Sequence, residues 1–474
     1  MSDYRPPAGS IPTLPVPALD GVETVHMIGV GGAGMRNLAR LLRARGIDVR
    51  GSDIKASKGL DELTETGAEV WVGHDPDRLG TPDVVIISSA IGEADPELRA
   101  ARDRGVPVWA RQQALVALAA GHRSIAVAGT HGKTTTTSMI AVLLERAGLD
   151  PSYLIGGDMN ESGSGARSGD GDLFLFEADE SDGSFLLARP HIGVVTNIDV
   201  DHVDFYPGGR DEIEAAFGAF VRGCATVVAC GDDAGVRAVL GDTGAPAVRY
   251  GFDEGNDLVV TVDDLGPAGA AGRIRDASDA EVVVRLQVDG PHNLLNAAAA
   301  IGVARLVGVP MDAAAAALSA FAGVHRRFEL RGRARGADFY DDYGHTPIEM
   351  AVTIDTARRR DPGRLVALVQ PHRYSRVQAL WRELGASVAQ ADLVLVTDVY
   401  GAAQEPIPGV TGRLVADGVE LASPTTPVVY LPHRTEVIDY LEREVRPGDL
   451  IVTMGCGDVW MLGDAALERL GDEA

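Results

Sequence analysis

The chain has 474 residues, 45% of them hydrophobic, with 43 Lys and Arg against 68 Asp and Glu, a formal charge of −25. That length suits about three domains of ~150 residues with true apolar cores, which excludes wholesale disorder. So acidic a surface repels nucleic acid and anionic membranes, so neither is an expected partner; polyanionic substrates would have to be held locally by loop amides, a few cations and metal ions. Residues 1–21 are Pro-rich without an apolar run and read as a disordered tail, not a signal peptide. No stretch approaches the ~18 apolar residues of a membrane span. The three cysteines, Cys224, Cys230 and Cys456, fit neither a zinc-site nor a disulfide spacing. The expected location is the cytoplasm.

An apolar run at 25–30 predicts a strand, 35–44 a helix, 48–53 a second strand, 84–87 a third and 106–109 a fourth. Alternation at this pitch predicts a parallel sheet with helices on both faces. Between the first strand and helix, Gly29-Val30-Gly31-Gly32-Ala33-Gly34 matches G-x-G-x-x-G, and Asp53 ends the next strand, where a ribose-binding acid would sit. Taken alone this reads as an NAD site, but the same geometry serves any diphosphate, including a nucleotide-sugar.

A second α/β segment has strands at 124–128, 173–176, 192–196, 226–229 and 258–262. Its helices are at 133–147, 294–307 and 313–321, and 253–280 reads as a hairpin excursion. A third has strands at 365–369, 393–397, 428–431 and 450–454. The expected architecture is three tandem α/β domains, each a mainly parallel sheet flanked by helices: Rossmann-like at both ends, with a P-loop-type ATPase domain between. The boundaries are 22–121, 122–330 and 331–474.

The sharpest signal is Gly129-Thr130-His131-Gly132-Lys133-Thr134, with Thr135 following, between a strand and a helix. Glycines let successive backbone N–H groups converge on phosphate oxygens, and the helix N-terminus adds its positive dipole end. Lys133 can reach the terminal phosphates and Thr134 can ligate Mg²⁺. The run is shorter than G-x-x-x-x-G-K-T, since Val127 stands where the first glycine belongs. Glu177, just past a strand end, is the metal-ligating candidate, and His202 could serve a second ion. Asp179, Asp182, Asp199 and Asp204 read as solvated loop charges.

These pieces sit within IGVGGAGM (28–35), GTHGKTTTT (129–137), EADESD (177–182), TNIDVDH (196–202), GPHNLLNAAAA (290–300), HRRFE (325–329), DDYGH (341–345), PHRYSR (371–376) and TDVYGAAQEPIPGV (397–410). In that order they resemble the Mur ligase family, ATP-dependent amino-acid ligases of peptidoglycan precursor synthesis. The resemblance implies domains for UDP-sugar, ATP and amino acid. It implies joining of L-alanine to the lactyl carboxylate of UDP-N-acetylmuramate through an acyl phosphate, with release of ADP and phosphate. It places Gly31, Gly32, Ala33, Gly34, Asp53, Ser88, Ser89 and Ala90 at the UDP end. It places Asn293, Asn296, Arg326 and Asp342 at ATP, with Arg326 on the γ-phosphate and Asp342 by the ribose. Thr134, Glu177 and His202 would hold two Mg²⁺, for which Mn²⁺ can substitute. Tyr343, His345, His372, Arg373 and Arg376 would line the amino-acid pocket. Lys133, His202, Arg326 and His345 are the expected catalytic set. His131 and His345 both remain candidates for the base that deprotonates the amine, and residues 156–171 are a lid candidate. The assembly expected is a monomer or homodimer.

One departure matters. His345 is followed by Thr346 where alanine-adding members carry a second histidine. A ligase adding diaminopimelate, lysine or a recycled peptide is therefore carried as an alternative, beside an NAD-dependent oxidoreductase.

Overall fold

β1 (Thr24–Ile28) is buried at four of its five positions, as befits a strand covered on both faces. It leads through the Gly-rich turn into α1 (Ala33–Ala44). There follow β2 (Asp48–Asp53), α2 (Lys58–Glu65), β3 (Glu69–Val72), β4 (Val84–Ile87), α3 (Pro96–Asp103), β5 (Val108–Ala110) and α4 (Arg111–Ala119). Local chemistry starts the helices: Ser57 caps α2, and Asp95 with Pro96 caps α3. The sheet order is β3-β2-β1-β4-β5, and every pairing is parallel. The chain turns back at β1, which leaves a crevice beyond the carboxyl ends of β1 and β4.

This computed structural model describes residues 16–88, 90–160, 162–202, 205–402 and 404–471. Most of the expected tail at 1–21, together with Ser89 and Asp204, lies outside the described residues. The chain divides into two compact units, the first taking residues up to 264 with 270–322, the second 265–269 with 323 onward.

The first unit continues with β6 (Arg123–Ala128), α5 (Lys133–Arg146), β7 (Ser152–Leu154), β8 (Ala166–Arg167), β9 (Leu173–Glu177), β10 (Ile192–Val195) and α6 (Arg210–Gly223). Then come β11 (Thr226–Cys230), α7 (Ala234–Thr243), β12 (Ala247–Gly251), β13 (Leu258–Gly266), β14 (Gly269–Asp276), β15 (Glu281–Leu286), α8 (Pro291–Leu306) and α9 (Met311–Leu318). The order is β15-β14-β13-β12-β11-β10-β6-β9-β7-β8. The stretch 253–280 is a long hairpin, as expected, and it widens the sheet. The strands flanking β6, namely β9 and β10, run parallel to it. α8 packs on α5, and its fully buried Ala297–Ala300 run lets the two backbones approach.

The second unit holds β16 (Glu329–Ala334), β17 (Ala337–Asp342), α10 (Pro347–Arg358), β18 (Arg364–Val369), α11 (Tyr374–Val388), β19 (Leu393–Val396) and α12 (Arg413–Ala422). It ends with β20 (Val428–Tyr430), α13 (Arg434–Glu444), β21 (Asp449–Met454) and α14 (Trp460–Leu470). The order is β16-β17-β21-β18-β19-β20; only the β16–β17 hairpin is antiparallel. A boundary at 330 falls inside β16. That strand is an Arg-rich, bulged edge with little apolar alternation, so its sequence reads as linker.

Candidate active site

β6 delivers the chain into the loop at 129–133. Gly129 has φ +140° and Gly132 has φ +81°, conformations open to glycine. A Cβ on Gly129 would run into the Thr196 hydroxyl, and one on Gly132 would lie 3.2 Å from Asn296 Oδ1. The loop is braced against the exit of β10. Thr130 N donates to Asn197 O (3.1 Å) and His131 N to Asn197 Oδ1 (2.8 Å). Thr196 Oγ1 and Asn197 Nδ2 donate to the His131 carbonyl at 2.6 and 2.9 Å. From α8, Asn296 Oδ1 accepts from Thr136 Oγ1 (3.1 Å), and its Nδ2 donates to Asn293 Oδ1 (3.2 Å). The first N–H groups of α5 have no intrahelical acceptor, which suits an anion.

Lys133 folds over this loop. Its Nζ donates to Gly129 O at 2.7 Å and to both oxygens of Glu180 at 2.9 and 2.8 Å. Burial pulls the lysine down, but the carboxylates of Glu180, Asp179 and Glu177 outweigh it and hold Lys133 above the usual lysine value. Burial pushes Glu180 up to about 7, opposed by Lys133 and reinforced by Asp179. For Asp179 burial works upward too, yet Lys133, Arg111 and His202 prevail and bring it to about 2. Glu177, at the end of β9, accepts from Thr134 Oγ1 (3.2 Å) and from Gly156 N (2.7 Å). His202, at φ +52°, places Nε2 3.6 Å from Asp201 and 3.9 Å from Glu180. His131 Nε2 stands 4.0 Å from Asp199 and helps keep that carboxyl below its usual value.

At the N-terminal turn, Gly31 N donates to Asp53 Oδ2 (3.0 Å) and Lys55 N to Oδ1 (3.2 Å). One oxygen of the expected ribose acid therefore holds the Gly-rich turn after β1, and the other closes the acid's own turn. Ala90 N donates to Ser88 Oγ at 3.3 Å. The Arg111 guanidinium lies over Gly34 and stands 3.9 Å from Asp179. On α1, Asn37 Nδ2 donates to Ile155 O (3.1 Å), and Arg36 pairs with Asp158 (2.9 Å). The start of the lid candidate is thus fastened to α1 as well as to Glu177.

In the second unit, Arg326 Nε donates to Asp341 (2.9 Å), NH1 to Gly457 O (3.2 Å) and NH2 to Gly455 O (2.6 Å). These bonds take three of its five N–H groups. Asp342 accepts from Phe328 N, Gly344 N and Thr353 Oγ1 at 2.8, 2.8 and 2.9 Å, and burial raises its pKa. The rings of Tyr343 and His345 are 5.8 Å apart, those of His345 and His372 5.5 Å. Arg376 NH1 donates to His372 Nδ1 at 3.2 Å. Arg373, at φ +64°, precedes α11 and donates its N–H to Tyr400 O. Burial pushes the neighbouring Cys456 thiol up to about 12.

Three family models tile the chain: "Mur ligase family, catalytic domain" over residues 24–123, "Mur ligase middle domain" over 127–304, and "Mur ligase, glutamate ligase domain" over 326–457. A curated UDP-N-acetylmuramate–L-alanine ligase of Mycolicibacterium smegmatis is 44% identical over 95% of each chain. One of Kineococcus radiotolerans is 46% identical, covering 96% of this chain and 98% of its own. The chain belongs to the Mur ligase family. Among solved structures, the UDP-N-acetylmuramate–alanine ligase of Thermotoga maritima matches with TM-score 0.80 at 26% identity, over 94% of this chain and 98% of its own. A murein peptide ligase of Psychrobacter arcticus matches with TM-score 0.73 at 26% identity, over 96% and 100%.

Within this Mur ligase the loop residues 129–135, Glu177, His202, Asn293 and Asn296 come together at the carboxyl ends of β6, β9 and β10. Gly31–Gly34, Ser88 and Ala90 come together at β1 and β4. Tyr343, His345, His372 and Arg376 share the carboxyl ends of β17 and β18, whereas Arg326 and Asp342 are bonded into the frame beneath them. Two residues given no role in the sequence reading stand out. Glu180 holds Lys133 and is buried; the only signal was its place in the EADESD run. Arg111 opens α4 far from any motif, and nothing in its local sequence marks it.

Proposed function

We propose that this chain joins L-alanine to UDP-N-acetylmuramate at the expense of ATP, forming ADP and phosphate. The observation that carries the chemistry is the meeting of Lys133, Thr134 and Glu177 at a glycine-shaped loop before α5. The substrates follow from the names of relatives 44–46% identical across nearly the whole chain.

A carboxylate is inert to amines because oxide would have to leave. In the first step a lactyl carboxylate oxygen attacks the γ-phosphorus in line, the bond to the β–γ bridging oxygen breaks, and ADP departs. The loop N–H groups would face the charge that spreads over the phosphoryl oxygens without reorganising, and Lys133 would add its charge by turning part of its contact with Glu180 toward the phosphate. In the ion pair seen here Lys133 must share itself between Glu180 and the incoming phosphate. In the second step the amine of alanine attacks the acyl carbon, the C–O bond to phosphate breaks, and one proton leaves the nitrogen. His131, beside Asp199, and His345, beside Glu349, are both within the chemistry of such a base. Arg376 or Arg373 suits the alanine carboxylate.

Thr134 and Glu177 supply hard oxygen donors 3.2 Å apart, a set that fits Mg²⁺. With His202 they would hold the ions, which would supply charge neutralisation at the phosphates. Arg326 and Asp342 are proposed at the γ-phosphate and ribose on the family pattern. Asp53 is proposed at the UDP end through the turn it closes.

A peptide-adding reading has the Psychrobacter likeness and the His345-Thr346 departure behind it. Phosphate release, measured with UDP-N-acetylmuramate and either L-alanine, glycine, L-serine, diaminopimelate or a recycled tripeptide, decides. Release that needs both the sugar nucleotide and L-alanine is expected. Release driven by the tripeptide and not by alanine would overturn the substrate assignment.

A further inference from the structure

Three strands adjacent in the sheet of the second unit, β17, β21 and β18, end on one register line. Asp342 pairs with Met454, and Val369 pairs with the same residue. His345 lies three residues past that line, Cys456 two and His372 three. The sheet therefore gathers one imidazole, one thiol and a second imidazole at a single point, each half-buried, with ligand atoms all within 4.8 Å of one another. A tetrahedral zinc-class ion, with metal–sulfur ~2.3 Å and metal–nitrogen ~2.0–2.1 Å, would draw such atoms to about 3.5 Å. A shift of about 1 Å is within reach of side-chain rotation.

The surroundings favour this class of ion. His345 Nδ1 lies 3.1 Å from the Tyr343 carbonyl and 3.4 Å from the Glu349 carboxylate. That contact makes Nδ1 the protonated nitrogen and puts the ring's lone pair on Nε2, the usual orienting device for a metal-bound histidine. Sulfur and imidazole donors select soft or borderline ions over Mg²⁺. Three protein ligands leave a fourth position open, the count of sites that take an exchangeable group.

We propose that His345, His372 and Cys456 bind one divalent cation of the zinc class, and that the bound ion closes the amino-acid side of the reaction. The second half rests on the ligase reading of the preceding section. Forming the metal–sulfur bond sends the thiol proton to solvent. Arg376 donates to His372 Nδ1, so an ion binding there displaces the guanidinium. An ion binding at Nε2 puts a proton on Nδ1, which then faces another donor. By either route, occupancy releases Arg376 from its present position.

The test is a Co²⁺ titration of the full chain, read as the thiolate-to-metal charge-transfer band and the visible bands of a tetrahedral site. One ion per chain is expected to give the charge-transfer band. Cys456→Ala should abolish the charge-transfer band and weaken binding by at least about 100-fold, while Cys224→Ala leaves both unchanged. Cys456→Ser, nearly isosteric, guards against loss of fold. Zn²⁺ added in excess Mg²⁺ should raise the KM for L-alanine at least tenfold in the parent chain, reversed by a zinc-selective chelator. Cys456→Ala should keep its basal rate and lose that sensitivity. Absence of the band, or its survival in Cys456→Ala, overturns the site. A band without any effect of Zn²⁺ on KM overturns the blocking role and leaves the site standing. A chain that binds Co²⁺ yet releases no phosphate with any substrate refutes the ligase reading alone.

Discussion

Both units put polar groups at the carboxyl ends of parallel strands, but they build with different materials. In the first, the phosphate loop is a backbone object: Gly129 and Gly132 take conformations other residues resist, and Thr196 and Asn197 brace the loop from the next strand. In the second, the cluster is a side-chain object, drawn from positions 343, 345, 372, 376 and 456, its rings packed edge to face. A backbone site fails when its conformation is forbidden, a side-chain site when one group is removed. The first should be nearly intolerant of substitution, and the second should lose functions one at a time.

The largest effect is expected from Lys133→Ala. Removing a charged group that faces a transferring phosphoryl typically costs ~10²–10³ in rate. Phosphate release under saturating substrates should fall by that factor with the fold intact by circular dichroism; an undiminished kcat would take Lys133 out of the chemistry. Arg376→Ala should behave differently. Losing a hydrogen-bonded cation opposite a carboxylate costs ~1.5–3 kcal/mol. The KM for L-alanine should therefore rise by roughly one to two orders of magnitude, with kcat little changed. A fall in kcat at constant KM would show that Arg376 serves something other than alanine.

Gly129→Ala sharpens the comparison from the backbone side. The strained φ costs ~1–3 kcal/mol, and the added Cβ meets the Thr196 hydroxyl. ATP affinity and thermal midpoint should both drop. Adding Thr196→Ala removes the collision with the hydroxyl but not the strain, and it also deletes the bond from that hydroxyl to the His131 carbonyl, so the double variant should recover only in part. Full recovery would mean that the clash alone mattered.

What was legible follows the same division. The strands β1, β4, β6, β18, β19 and β21 are apolar runs with clear ends, and the loop at 129–134 is a contiguous signal, so both could be read directly. β3, β7, β8 and β16 could not, being short, polar or at sheet edges, where alternation is weak. Asp53 was placed correctly at the end of β2, yet its two oxygens turn inward to Gly31 and Lys55, a choice made by turn geometry. Glu180 was one acid among four in EADESD, and only the fold shows that it, not Asp179 or Asp182, grips Lys133. Cys456 fits no cysteine spacing because its neighbours, His345 and His372, arrive on different strands. Register across a sheet has no footprint in linear sequence.

The smallest expected effect tests how tightly Glu180 is bound into the loop. Its carboxyl titrates at about 7 in the folded chain and near 4.3 when unfolded. Between those values the folded state carries a proton that the unfolded state has released. The stability contributed by this group is therefore full below about pH 4.3 and falls as pH rises toward 7. Asp179 acts oppositely, but its gain is complete by about pH 4, since its folded value is about 2. Lys133, raised above the usual ~10.4, loses its contribution only at alkaline pH. In the window from pH 5 to 7 Glu180 is thus the member of this cluster that sets the slope. Glu180→Gln keeps the shape and removes the titration. The decline of the thermal midpoint from pH 5 to 7 should be shallower in the variant than in the parent. Parallel curves would mean that Glu180 is ionised throughout, with Lys133 neutralising it completely and burial contributing nothing to its titration.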